Sequence, residues 1–336
     1  YSIALMVIDM SNLDIKQIDV CDMKDFHIGS AEDFEKLTGV TVISSKEGAT
    51  ASVDVRGGGP ATRETDLLSP ENMVQVIHAV VLSGGSAYGL EASSGVMDYL
   101  ASKDIGFDVG VGKVPIVCGA SLFDLQIGQN SYPNKDMGYS AARNAYEGEN
   151  IGFKQGNFGA GTGATVGKYN GIEGMMKSGI GSSAVQVGEL QVGAISAVNA
   201  MGDVFDFDGK EIAGLMSSDG KLLSTCKAMK DNIYQSKNVF SGNTTISCIM
   251  TNAVLTKAQC KKLASICHDA YARRIMPVHT SVDGDTIFVM SSGTLKLDDN
   301  SFDALAVIAT EELEKAIVSG VKSAKGILGT KSYSDL

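Results

Sequence analysis

The sequence predicts an α/β fold in which helices are interspersed with the strands of mixed sheets. Three observations carry this. A run beginning at Thr244 alternates two unlike sets of side chains with the period of a strand. Two later segments carry the caps and apolar stripes of helices. Strands and helices do not alternate strictly along the chain, which argues against a doubly wound parallel sheet.

Taken in order, Ser69-Pro70-Glu71 places Ser at an N-cap and Pro at the first helical position. It predicts a helix with Met73, Val74, Ile77, Val80 and Val81 on one face. Gly84-Gly85 breaks it, and Ser86 to Lys103 reads as a second helix with Leu90, Met97 and Leu100 inward. The 39 glycines concentrate in 156–202, where short β-like runs between them suggest tight turns and close backbone packing near a site. The strand 190–198 ends at Asn199, before a turn. The segment 217–242 reads as a flexible, exposed loop leading into Asn243-Thr244.

From there Thr244, Ile246, Cys248 and Met250 alternate with Thr245, Ser247, Ile249 and Thr251. Thr256-Lys257-Ala258-Gln259 is a capping box, opening a helix with Cys260, Leu263, Ala264, Cys267 and Tyr271 as its stripe. Asp283-Gly284-Asp285 reads as a turn before a strand from Thr286 to Met290. A last helix, about 302–323, buries Leu305, Ile308, Leu313 and Ile317.

The 336 residues are 44% hydrophobic, enough for a substantial core and far from a disordered composition. No convincing linker or repeat divides them, so one domain, 1–336, is expected. A net charge of −11 argues against nucleic acid or an anionic membrane as partner, and no apolar run is long enough to span a bilayer. Tyr1 to Asp9 lacks a basic n-region and a long h-region, so it does not read as a signal peptide. The chain does not open with Met and is expected to begin inside a longer natural sequence. The six Cys show no CxxC pairing and the four His no metal spacing, so buried thiols in a reducing cytoplasm are expected, with no metal or other cofactor.

Familiar catalytic patterns fit poorly. Gly84-Gly85-Ser86-Ala87-Tyr88 approaches a G-x-S-x-G elbow, but Tyr88 stands at the final Gly. Gly159 to Lys168 lacks the first Gly and the final Ser/Thr of a phosphate loop, having Thr162 and Tyr169 instead. Cys267 and His268, adjacent on a helix, diverge by about 100° and cannot form a dyad with each other.

Other segments carry a resemblance. Thr38-Gly39-Val40-Thr41-Val42, Val53-Asp54-Val55-Arg56-Gly57-Gly58, Thr62-Arg63-Glu64-Thr65-Asp66-Leu67-Leu68 and Leu82-Ser83-Gly84-Gly85-Ser86-Ala87-Tyr88-Gly89 come first. They are followed by Gly159-Ala160-Gly161-Thr162-Gly163-Ala164-Thr165-Val166-Gly167-Lys168, Val192 to Asn199, Gly242 to Asn252, Pro277-Val278-His279-Thr280 and Asp283-Gly284-Asp285-Thr286. In this order they resemble the L-aminopeptidase/D-esterase family, which also holds β-aminopeptidases and 6-aminohexanoate-oligomer (nylon-oligomer) hydrolases.

The resemblance implies an α/β sandwich of the N-terminal-nucleophile type. It implies self-cleavage between Asn243 and Thr244 into fragments 1–243 and 244–336, with Thr244 as nucleophile. The new α-amine, with a reference pKa of ~7.7–8, could then act as general base. No His is seen to have a partner that would make it a better one. By the same resemblance Lys168 is the lysine beside the nucleophile, and Asn199 an oxyanion donor. Asp283 and Asp285 are the carboxylates that hydrogen-bond the lysine and the amine and so keep their charges oriented. Phe123 stands where some members carry a substrate-touching Tyr, which bears on substrate preference. The implied substrates are short peptides, amino-acid amides or 6-aminohexanoate oligomers, and the implied assembly is a homo-tetramer. The alternatives are an acyltransferase of the ornithine acetyltransferase type and a non-catalytic binding protein on the same fold.

Overall fold

The computed structural model describes residues 15–234 and 242–336. Ten strands build its main sheet: β1 Ile15–Ile18, β2 His27–Asp33, β3 Thr38–Val55, β4 Thr62–Arg63, β5 Val76–Ser83, β6 Val117–Ser121, β7 Ile180–Val187, β8 Leu190–Asn199, β9 Thr244–Ala253 and β10 Thr286–Leu295. Their order is β1-β7-β8-β9-β10-β3-β5-β6-β4, with β2 paired to β3. The sheet is mixed: β9 and β10 run parallel, as do β5 and β6, whereas β8 and β9 run antiparallel. The helices are α1 Ala92–Ser102, α2 Lys135–Glu147, α3 Thr225–Asp231, α4 Lys257–Arg274 and α5 Phe302–Ser323.

The long strand β3 makes this one sheet into two layers. It pairs with β10 through Thr50–Val55 and with β5 through Val40–Ser44, with a register shift between Ser44 and Ala49. The sheet folds over itself at that shift. Ile246, Cys248 and Met250 of β9 and Ile195 of β8 therefore meet Ile43 of β3, Val80 and Leu82 of β5 and Cys118 of β6 in one inner core. The outer face of the β7–β10 half packs on α4 and α5 through Val192, Ile249, Leu263, Cys267, Leu313 and Ile317. The outer face of the other half packs on α1 and α2 through Val42, Val81, Val96 and Leu100. The result is a helix–sheet–sheet–helix sandwich.

β9 lies at the centre and is buried on both faces. Full burial of a side chain such as Ile246 contributes about 1.5–3 kcal/mol. The opposite, partly polar face is matched by hydrogen bonds: the Ser247 hydroxyl meets Ser196 Oγ at 2.8 Å and Tyr271 OH at 2.7 Å, and Thr251 Oγ1 donates to the Gln191 carbonyl at 3.0 Å. α4 opens on the expected capping box, Thr256 Oγ1 accepting from Gln259 N–H and Gln259 Oε1 from Thr256 N–H. α5 spans the expected range.

Three expectations are corrected. The Ser69-Pro70-Glu71 signal does not open a helix. It forms a turn closed by Asn72 N–H on the Ser69 carbonyl, and Val76–Ser83 continues as β5. The apolar residues there are buried on both faces between β3 and β6, so β-branched Val and Ile serve a two-sided strand rather than one helical stripe. The segment 217–242 is not a plain loop either: it holds α3, capped by Ser224. Its residues 235–241 lie outside the described residues. The second expected helix begins as a 3₁₀ turn, Ser86–Glu91, before α1.

Candidate active site

Thr244 opens β9 and is buried. Its Cα partner across the antiparallel pair is Asn199, the last residue of β8. The preceding Asn243 bridges to Asp283, so one strand pair and one β-bridge bring four of the expected residues together. The Thr244 hydroxyl donates to the carbonyl of Asn243, and that carbonyl also accepts the backbone N–H of Gly284 at 2.8 Å.

Lys168 sits in the 3₁₀ turn Lys168–Asn170, reached through Gly167 at φ 71°. A Cβ at Gly167 would stand 2.1 Å from the Gly214 carbonyl carbon, so only Gly lets this turn seat the lysine. The side chain is fully buried, and Nζ donates to the Gly242 carbonyl at 3.3 Å. Burial pushes its pKa down to about 7, against the charges of Asp283 and Asp124. Near neutral pH this lysine can therefore both hold and accept a proton.

The Asp283-Gly284-Asp285 turn supplies two buried carboxylates. Asp283 Oδ2 accepts Thr280 N–H at 2.8 Å and Thr280 Oγ1 at 2.6 Å. Burial, followed by the charge of Asp285, pushes its pKa up to about 6. Asp285 Oδ1 accepts Thr245 N–H at 2.9 Å, and Oδ2 accepts both the N–H and the ring Nδ1–H of His279. The expected hydrogen bond from Lys168 to these carboxylates is replaced by one to the Gly242 carbonyl, and of the two only Asp283 acts on the lysine, through charge.

Asn199 is held from both ends of its amide: Oδ1 accepts Thr165 N–H and Nδ2 donates to the Phe123 carbonyl, each at 3.0 Å. One of its two N–H groups is so committed. Phe123 packs its ring so closely on Gly242 that a Cβ there would lie 2.5 Å from the ring.

Several residues of this neighbourhood escaped the sequence reading. Asp124 is buried and accepts Gly85 N–H at 2.6 Å and Thr38 Oγ1 at 2.9 Å. Burial pushes its pKa up to about 6. Lys177 is also fully buried, donating to the carbonyls of Gly161, Ala164 and Ser178. Those bonds brace the segment that brings Thr165 N–H to Asn199. His279, expected to have no partner, is paired with Asp285. A lysine directly after two methionines was the available signal for Lys177. Among the described residues no group of three or more His, Cys, Asp or Glu could hold a metal, and no helix is long and apolar enough to cross a membrane.

The four-layer fold is shared with a solved structure described as belonging to the N-terminal-nucleophile hydrolase fold. The L-aminopeptidase D-Ala-esterase/amidase of Ochrobactrum anthropi, described as a variant of that fold, superposes with a TM-score of 0.66 at 17% identity, covering 93% of this chain and 88% of that one. The chain belongs to peptidase family S58, matched over residues 13–334, and so is a hydrolase of peptide or amide bonds. An uncharacterized aminopeptidase of Mycobacterium tuberculosis is 35% identical over 320 residues, 89% of each chain. A 6-aminohexanoate-oligomer endohydrolase of Kocuria sp. is 28% identical over 321 residues, 90% of this chain and 85% of its own.

Proposed function

We propose that this protein is a self-processing amide hydrolase, cut between Asn243 and Thr244, with Thr244 as its N-terminal nucleophile. The observation that carries the reading is the Thr244 hydroxyl lying against the carbonyl of the bond it would cut, while Gly284 N–H polarises that same carbonyl. In the uncut chain Thr244 has no free amine, and Lys168, its pKa pushed down to about 7, is the base closest in chemistry to the task. Oγ adds to the Asn243 carbonyl carbon, the C–N bond breaks, and the proton from Oγ ends on the Thr244 nitrogen. Water then hydrolyses the ester, leaving Asn243 with a carboxylate and Thr244 with a free hydroxyl and α-amine.

In turnover the α-amine takes the Oγ proton as Oγ attacks the substrate carbonyl. The proton passes to the leaving amine, and water releases the acyl group. Asn199 donates to the oxyanion. Asp283 and Asp285 hold Lys168 and the amine in their charge states, and Phe123 walls the acyl site beside Gly242. Fragments 1–243 and 244–336 stay together because β9 and β10 lie inside the common sheet.

The substrates proposed are short: N-terminal residues of peptides, amino-acid amides and 6-aminohexanoate oligomers. A homo-tetramer in the cytoplasm completes the reading. A panel of such amides, assayed against the purified protein and its Thr244→Ala variant, tests it. Release of amine from at least one amide by the wild type and from none by the variant is expected. Equal rates would contradict it.

A further inference from the structure

Two histidines behind Asp285 have no task in that reading. His279 stands at φ 55°, a left-handed backbone that persists in a non-glycine residue only where the surroundings enforce it. Here Asp285 enforces it, its Oδ2 accepting both the backbone N–H at 3.1 Å and the ring Nδ1–H at 2.8 Å. The other oxygen of the same carboxylate holds Thr245 N–H, next to the proposed nucleophile. A carboxylate only accepts, so the ring proton of neutral His279 is on Nδ1. Nε2 is then an acceptor, buried and without a hydrogen-bond partner.

The second ring is His268 on α4, fully buried and T-shaped to His279 with centroids 4.7 Å apart. Its Nε2 donates to the Asp54 carbonyl at 3.0 Å, which leaves Nδ1 as the acceptor, again buried and without a partner. Two neutral imidazoles thus bring two unmet acceptors into one ring pair. A single added proton would turn one of these acceptors into a donor, and the other ring, its centroid 4.7 Å away, is the unmet acceptor beside it.

The charged and titratable surroundings favour one proton and no more. Asp285 faces His279 from its own loop, with Asp283 beside it. Tyr271 of α4 packs against both rings, with centroids 5.3 Å from His268 and 6.0 Å from His279. Asp54 Oδ2 lies 3.8 Å from His268 Nε2 and is itself paired with Arg56 and Lys261. Asp285 is the carboxylate in direct contact with the pair, 2.8 Å from His279 Nδ1, and burial disfavours charge on His268, pushing its pKa down to about 4, so His268 is the acceptor of the pair.

We propose that His268 and His279 are positioning residues that share one proton, directly or across a single water, and so fix the orientation and compensate the charge of Asp285 behind Thr244. Its effect on turnover rests on the proposed Thr244 reading. With Asp285 compensated, the Thr244 amine meets less negative charge and keeps a larger neutral fraction at a given pH.

The test is a ¹⁵N NMR titration of the full-length protein labelled at histidine, with His27→Gln and His78→Gln separating the other two signals. In His268→Phe the midpoint of His279 should fall by about one pH unit, because the imidazolium loses its acceptor. His268→Gln keeps an acceptor and should return the midpoint close to the wild-type value; it also serves if the Phe variant does not fold. In parallel, the acid limb of the kcat profile of His268→Phe should move to higher pH, with the plateau KM unchanged. A His279 midpoint that is the same in wild type and variants overturns the pair, whether or not the chain cuts itself. Shifted midpoints in a chain that neither cuts nor turns over would uphold the pair and remove the Thr244 reading.

Discussion

Gly284 and Thr244 approach so closely that a Cβ on Gly284 would stand 2.6 Å from the Thr244 hydroxyl oxygen, while the Gly284 N–H holds the Asn243 carbonyl. A side chain at 284 would push the hydroxyl off that carbonyl. Gly284→Ala should therefore slow self-cleavage by roughly fivefold or more, since overpacking of this kind costs on the order of 1–3 kcal/mol. A gel time course of freshly purified protein checks it, with circular dichroism showing that the variant is folded. Cleavage at the wild-type rate would mean that Gly284 leaves the hydroxyl undisturbed.

Ser86 offers a control. It follows β5 with φ 55° and donates its N–H to the Leu122 carbonyl, a strand-turn-helix setting that superficially suits a nucleophile. Thr244→Ala should abolish both processing and amide hydrolysis, and Ser86→Ala should leave both largely intact. The reverse pattern, in folded proteins, would move the nucleophile to Ser86.

Asn199 has one amide N–H committed to Phe123 and its oxygen to Thr165. If the other N–H stabilises the oxyanion, Asn199→Ala in an already cleaved enzyme should lower kcat by ~10²–10³-fold, roughly 3–4 kcal/mol. KM should change little. A purely structural Asn would instead lower the melting temperature and leave the kcat of the folded fraction near wild type.

Lys168 and Lys177, both fully buried, give stability a pH signature. Burial pushes both Lys168 and Lys177 from 10.5 down to about 7. Between those values the unfolded chain binds protons that the folded chain has released, so stability rises with pH across that window, by up to about 1.4 kcal/mol per pH unit for each lysine. Asp124 and Asp283, raised from 3.8 to about 6, act in the opposite sense at lower pH: folded carboxyls keep protons that unfolded ones lose, and stability falls as pH rises from 3.8 towards 6. Denaturant unfolding of the uncleavable Thr244→Ala chain at pH 7, 8 and 9 should show the rise, and adding Lys177→Met should remove part of the slope. An identical slope in both chains would contradict it.

Much of this architecture was legible in the residues. The capping box at Thr256, the alternation from Thr244 and the long stripe of α5 are local patterns, and local patterns set those elements. Val76–Ser83 was misread because a strand buried on both faces shows no period of its own, and the Pro-led turn before it mimicked a helix start. In the site, motif order pointed to Lys168, Asn199, Thr244, Asp283 and Asp285; strand ends join Asn199 and Thr244, a β-bridge joins Asn243 to Asp283, Asp285 holds Thr245 N–H, and Lys168 reaches Gly242 from a 3₁₀ turn. Lys177 and the His279–Asp285 contact escaped because burial and pairing across distant segments are properties of the folded chain. Nothing in a lone Lys or His announces three carbonyls or a carboxylate waiting for it. The N–H of Gly284 is invisible for a simpler reason: every residue but proline has one.

Every role assigned to Thr244 depends on the cut before it, and intact-mass analysis with N-terminal sequencing of the purified protein reads that cut without intermediaries. Two fragments are expected, the smaller beginning Thr-Thr-Ile-Ser-Cys, and neither should form in Thr244→Ala. A single uncut chain that nevertheless hydrolyses amides would contradict it.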